Sequence, residues 1–432
     1  MKNEKIHPVN FIIKIFLMIL ADISFFAVLS AAPANINQPD TLTYSQYKGS
    51  IIDNSSRKPL IYATIAVNGT NIVTISNSEG QFILKVPKNL TDPKISITYL
   101  GYEGRQLSLS DLKKEDNVIT LKLLPVKLTE VTVFPTNPEL LMRDVMNRRN
   151  LNYYKDPMLM TAFYRETIKK RRTYVSLSEA VVQVLKQSVI SPKEDFAHLY
   201  KARKNTDYRK IDTVAFKLQG GPITNLMLDI MKNPELIFTE DMFGNYTFSL
   251  DDVTKIGDHY MYVIGFKQKP LIKLPLYYGS LYIDTESLAL TSATFNLNVE
   301  NREKAGEMFI KKKPAGSKVY PLSVSYHVEY REINGRWYYG YSRGDLTFKV
   351  IWRKRLFNKI YESSIEMLVT NWEKISDNPI RQSEKIKPSI IMADQVTGFA
   401  DPDFWGAYNV IEPEKNIESA IKKIQKNLEK KK

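Results

Sequence analysis

The chain has 432 residues, of which 43% are hydrophobic and 25% charged, with a formal net charge of +14. This is a globular balance that excludes disordered and fibrous chains, and the length suggests two or three domains, each able to bury a core. Cysteine is absent, which excludes thiol catalysis, thiolate metal sites, stapling disulfides and the thioether anchor of a bacterial lipoprotein.

The N-terminus carries Lys2, Lys5 and Lys14, then an apolar run from Ile15 to Leu29 broken by Asp22 and Ser24, then the small residues Ala32-Pro33-Ala34. Residues 1–34 are expected to be a secretory signal peptide, with an uncleaved N-terminal anchor as the alternative. Export argues against a nucleic-acid partner despite the basic charge. No later apolar stretch approaches the ~20 residues of a membrane helix, so no transmembrane span is expected in the mature chain.

Residues 46–134 alternate short strands with turn residues. Gly49–Asp53, Leu60–Val67, Ile72–Ile75, Gln81–Val86, Ile95–Leu100 and Val118–Leu124 are strand-like, separated by turns such as Asn68-Gly69-Thr70 and Asn77-Ser78-Glu79-Gly80. Asn and Gly tolerate positive φ, and the spacing leaves no room for crossover helices, so a small antiparallel β-sandwich is predicted. The pieces GSIID (49–53), PLIYATIAVNGT (59–70), SEGQFILKVP (78–87), ISITYLGYE (95–103) and LTEVTV (128–133) resemble the carboxypeptidase regulatory-like domain. That resemblance implies a transthyretin-like (prealbumin-like) sandwich. It is also similar to the N-terminal extension of TonB-dependent transporters, but the ~300 residues that follow lack a barrel-length strand series. The module is the accessory sandwich of zinc peptidases, so it implies no catalysis. His7, His198, His259 and His327 are far apart and none has a Glu three residues on, so a zinc carboxypeptidase is not expected.

Asn137-Pro138-Glu139 reads as a helix start, with Leu141, Met142 and Val145 as its apolar stripe; a linker helix is expected over 137–155. Residues 156–412 read as a larger antiparallel, curved β-sheet domain with a few helices. Leu322 to Tyr330 alternate with polar residues, Asn334-Gly335 signals a hairpin, and Trp337, Tyr339 and Tyr341 alternate on the return strand. Similar pairs are predicted around Gly257-Asp258 and Thr285-Glu286-Ser287, giving a meander with one buried face. Pro222–Met231 is the candidate covering helix, with Ile223, Leu226, Met227 and Ile230 on one side. A curved sheet around a helix resembles the half-barrel of periplasmic lipoprotein carriers. FYRE (163–166) and FWGAYNVIEPE (404–414) resemble segments of uncharacterised envelope proteins that join this sandwich to a β-rich second domain.

Residues 413–432 are predicted to form a basic amphipathic helix with Ile417, Ile421, Ile424 and Leu428 as its stripe. It either docks on the sheet or lies on an anionic membrane surface.

No catalytic residues, metal ligands or cofactors are assigned. Trp337, Tyr339 and Tyr341 are the candidate ligand contacts, by stacking on sugar rings or lining an apolar cavity. Glu166 and Glu179 are the carboxylates to consider for glycoside hydrolysis. Glu240-Asp241, Asp251-Asp252, Asp258 and Asp401-Pro402-Asp403 read as solvated turns without EF-hand spacing. Asp40-Thr41-Leu42 and Asp212-Thr213-Val214 resemble short O-glycosylation signals. The expectation is a non-enzymatic exported protein, periplasmic or outer-membrane associated, that binds or scaffolds an envelope protein, glycan or lipid. A carboxylate-dependent hydrolase of envelope or dietary polymers and a lipid or lipoprotein carrier are the alternatives.

Overall fold

The architecture is taken from a computed structural model. It describes residues 43–124, 137–171, 173–206, 221–309, 316–353, 358–375, 380, 385–386, 399, 401 and 403–429. The predicted signal peptide, LTEVTV and both glycosylation-like tripeptides lie outside these residues.

Among the described residues the first domain is a sandwich of seven strands: β1 (Tyr44–Asp53), β2 (Thr64–Val67), β3 (Val73–Ile75), β4 (Gln81–Pro87), β5 (Lys94–Thr98), β6 (Arg105–Ser108) and β7 (Asn117–Leu121). One sheet has the order β4-β1-β7 and the other β3-β2-β5-β6. Tyr47, Ile51, Ile65, Phe82, Leu84, Ile97 and Ile119 form the core between them. The sandwich is not wholly antiparallel. β1 and β7 run parallel, with Ile51 opposite Ile119, because the first and last strands meet through the whole intervening chain rather than a hairpin. The glycines at the predicted turns, Gly69 and Gly80, have φ of +72° and +75°, which any Cβ would strain.

Helix α1 (Pro138–Asn147) starts where expected, because the Asn137 side chain accepts from the Glu139 and Leu140 amides. A short α2 (Arg149–Asn152) follows. Among the described residues the second domain is built on one ten-stranded antiparallel sheet. Its strands are β8 (Met158–Lys170), β9 (Thr173–Lys186), β10 (Phe196–Thr206), β11 (Tyr246–Ile256), β12 (His259–Gln268), β13 (Tyr277–Asp284), β14 (Leu290–Leu297), β15 (Ser317–Ile333), β16 (Arg336–Trp352) and β17 (Lys359–Lys374). The spatial order is β10-β9-β8-β17-β16-β15-β14-β13-β12-β11. The Asn334-Gly335 hairpin forms as predicted, with Ile333 opposite Arg336 and both turn residues at positive φ.

The inner face of the sheet is filled by the chain itself. Leu141, Met142 and Val145 of α1 join Leu226, Ile230, Phe238, Met242 and Phe243 in one core with β8, β9 and β11–β16. The covering helix α3 is shorter than predicted, Pro222–Met227. The chain then leaves the helix so that the fully buried Asp229 carboxylate accepts from Tyr154 and Tyr330 and pairs with Lys186 at 2.7 Å. Burial penalises the bare charge, and these partners compensate it.

The outer face carries the sandwich and the C-terminal segment. Ile75 and Ile83 of the sandwich pack with Phe163, Val181, Tyr341 and Leu368 of the sheet and with Trp405, Val410 and Ile411. The segment from Phe404 to Glu414 works as a strap. Asn409 accepts from the Lys85 amide at 2.8 Å and donates to its carbonyl at 3.0 Å, imitating a strand partner to β4. Asn77 donates to the Glu412 carbonyl, while Arg165 on the sheet donates to the Ile411 carbonyl. The C-terminal helix α4 (Lys415–Glu429) buries Ile417 and Ile424 beside Leu177 and Phe399. Ile417, Ile421 and Ile424 of the predicted stripe therefore pack on the protein, as the docked reading expects, while Lys422, Lys423 and Lys426 face solvent. Leu428's side chain is outside the described residues.

Candidate functional site

The register of the sheet aligns one row of directly opposed residues across five strands. Arg343 on β16 faces Glu366 on β17, which faces Arg165 on β8, then Glu179 on β9 and Arg203 on β10. Charges alternate along the row and each neighbour pair is joined. Arg343 reaches Glu366 at 3.2 Å, Glu366 reaches Arg165 at 3.2 Å, Arg165 reaches Glu179 at 2.8 Å and Glu179 reaches Arg203 at 2.6 Å. Arg343 also grips Asp345 through two nitrogens, at 2.7 and 2.8 Å. The row itself holds three arginines and two carboxylates, and the half-exposed Asp345 beside Arg343 supplies the third negative charge that balances it. Burial opposes the Glu179 charge, but Arg203 and Arg165 outweigh it and hold its carboxyl below the usual range. Burial dominates at Glu366 and raises it against Arg343 and Arg165.

Above one end of this row lies a cavity of about 210 Å³. The sheet forms its floor with Thr167, Lys169, Thr347, Glu362 and Ser364 around the charged row, the sandwich turn contributes Ser78 and Glu79, and the start of α4 contributes Glu414 and Asn416. Ser78 donates to the Glu414 carboxylate at 3.0 Å, closing the wall between sandwich and C-terminus. All three parts of the chain thus share one polar cleft.

The sequence-derived candidates fall elsewhere. Trp337, Tyr339 and Tyr341 are buried, and none is presented to a ligand. Trp337 and Tyr339 lie in the inner core, where the Tyr339 hydroxyl donates to the Asn225 carbonyl at 2.8 Å. Tyr341 lies in the outer-face cluster, with its ring against Tyr62 and its hydroxyl on Glu366. The alternation breaks because β15 and β16 slip register between Tyr330–Tyr339 and Glu329–Tyr341, and a bulge at Gly340 turns Tyr341 to the opposite side. Glu166 and Glu179 are also separated. Glu179 opposes Arg165, the neighbour of Glu166, and successive residues of a strand point to opposite faces. Glu166 faces inward, accepts from Tyr164 at 2.8 Å, and has its carboxyl raised by burial. The two cannot flank one glycosidic bond.

His198, His259 and His327 stand on β10, β12 and β15. His259 bonds Asp284 at 2.9 Å and lies 3.3 Å from Glu332; His327 bonds Glu329 and stacks on Tyr62. Among the described residues no group of three or more His, Cys, Asp or Glu side chains is placed to hold a metal. Asp251, Asp252 and Asp258 are exposed at a bulge and a turn of the β11–β12 hairpin. The charged row was missed because it exists only once register is known; its trace in the sequence is the lone charges within apolar strands, in FYRETI and SLSEAVV.

The fold and this junction define a mainly β protein in which an accessory sandwich is fixed to a larger antiparallel sheet. Residues 47–133 match the family model of the CarboxypepD_reg-like domain, and the N-terminal sandwich is such a domain. No curated protein matches the chain. Among solved structures, a DUF1329 family protein from Desulfovibrio piger is 12% identical, with 57% of this chain and 97% of that one covered and a TM-score of 0.23. A LolA superfamily protein from Nitrosomonas europaea is 10% identical, with 57% and 96% covered and a TM-score of 0.20. Among the described residues no helix is long and apolar enough to cross a membrane.

Proposed function

We propose that this chain is a non-enzymatic exported envelope protein that binds a polar, hydroxyl-rich ligand, a glycan segment, in the cleft shared by sandwich, sheet and C-terminal helix. The observation that carries this reading is the lining of that cleft: Thr167, Thr347, Ser364 and Ser78 beside Glu362, Lys169 and Glu79. Hydroxyls and charged groups at one rim match the alternating donors and acceptors of a sugar. The arginines and carboxylates below are already spent on each other, which favours holding a ligand over proton transfer. The inner face is occupied by the protein's own apolar side chains, so a lipid-carrier role has less support.

Export and the envelope setting rest on the basic, apolar and small-residue pattern of residues 1–34. The test is calorimetric titration of the full chain against envelope glycan fragments, with Thr347→Trp to fill the cleft and Glu362→Gln to remove a rim carboxylate. Binding is expected in the wild type, abolished by Thr347→Trp and weakened by Glu362→Gln. Absence of glycan binding, or turnover of the fragments that Glu362→Gln abolishes, would overturn it, the latter in favour of a hydrolase.

A further inference from the structure

The connection between β12 and β13 reads Lys269-Pro-Leu-Ile-Lys-Leu-Pro-Leu276, and its apolar tip has no cover. Leu271 is 89% exposed, and Leu274 and Tyr278 are 38% and 46% exposed. The loop is held in this shape. The Gln268 side chain donates to the carbonyls of Ile272 and Leu274 and accepts from the Leu276 amide, and the Lys269 amide donates to the Asn245 carbonyl at 2.8 Å. Ile272 turns in against the core. Leu271 is thus presented outward by a built loop rather than left out by a loose one.

The loop itself carries only basic charges, while the Asp251 carboxylate of β11 stands beside Gly265 at the strand below it. Lys267, Lys269 and Lys273 are exposed, and no Asp or Glu occurs from Phe266 to Gly279. Lys267 stands directly opposite Tyr278 across the strand pair, so a cation and an aromatic ring share the base of the loop. A leucine tip, a tyrosine behind it and a collar of lysines match the depth profile of a bilayer surface. Apolar side chains enter the acyl boundary, aromatic rings lie at headgroup level and lysines meet anionic lipid. A tip this small is a poor protein interface, which typically needs roughly 800 Å² per partner.

We propose that residues 267–278 dock the protein on an anionic lipid surface, by insertion of Leu271 and Leu274 together with the attraction of Lys267, Lys269 and Lys273. This stands independently of the cleft and its ligand. The experiment is co-sedimentation of the full chain with phosphatidylglycerol–phosphatidylcholine vesicles and with phosphatidylcholine alone, at low and high salt. Binding to the anionic vesicles that falls with salt is expected, as screening requires. It should weaken at least about tenfold in Leu271→Asp/Leu274→Asp and in Lys267→Gln/Lys269→Gln/Lys273→Gln. A Lys422→Gln/Lys423→Gln/Lys426→Gln variant of α4 should bind as the wild type does. All the altered side chains are exposed, and near-ultraviolet circular dichroism verifies that each variant is folded. No binding to anionic vesicles at low salt overturns the proposal, as does wild-type binding by the leucine variant or loss of binding only in the α4 variant.

Discussion

Arg165 is the residue on which most of the junction converges. Its three nitrogens reach Glu179, Glu366 and the Ile411 carbonyl, so one side chain ties three sheet strands to the strap. Arg165→Met would leave two buried carboxylates short of a partner. A loss of roughly 3–5 kcal/mol in denaturant unfolding is expected, because an unpaired buried charge costs more than the pair gains. His259 behaves differently because it is partly exposed. Its hydrogen bond to Asp284 raises it above the ordinary imidazole value, despite partial burial. A group raised on folding stabilises below its unfolded value of ~6.5 and loses that contribution as pH rises through the folded value. His259→Asn should therefore lower stability more at pH 5.5 than at pH 8.5, by about 1 kcal/mol or less given solvent screening. Equal losses at the two pH values would show that the ion pair contributes nothing.

At the scale of elements, hairpin turns and helix starts were readable because they depend on near neighbours. Asn137 capping α1 and Asn334-Gly335 closing β15–β16 are local chemistry. The end of α3 was not, since Asp229 bonds residues 43 to 101 positions away. Nor was the bulge at Gly340, which depends on how β15 and β16 slip. Gly279 shows how closely strands approach. It faces Phe295, and a Cβ there would collide with the Thr294 carbonyl of β14. Gly279→Ala should cost roughly 1–3 kcal/mol by overpacking, seen as a lower denaturant midpoint at unchanged slope. The strap is tested at Asn409. Asn409→Ala removes both bonds to the Lys85 backbone; a loss of roughly 1–3 kcal/mol is expected, with faster proteolysis between sandwich and strap.

At the scale of the molecule, sandwich and sheet are locked by shared core and shared polar contacts. Tyr62 of the sandwich stacks on His327 of the sheet, Asn71 donates to the Trp372 carbonyl, and the strap bonds both parts. They should melt as one cooperative unit in calorimetry. Removing residues 403–432 should separate the transition into two, because that segment supplies Trp405, Val410 and Ile411 to the common cluster. A single unchanged transition after truncation would show that the strap is dispensable.

The motifs FYRE and FWGAYNVIEPE were visible as strings, yet only the fold brings them together: Phe163 meets Trp405 edge to face at 5.5 Å, and Arg165 reaches Ile411. By itself the sequence determined the two β-rich parts, the sandwich family, the hairpins and the capped helix. These follow from side-chain alternation and from the turn preferences of Asn, Gly and Pro, which act over a few residues. The tertiary structure alone decided which face each buried charge occupies, that the inner surface is filled, and where the polar cleft opens. Those features depend on strand order and register, and one residue of slip sends every side chain to the other side of the sheet.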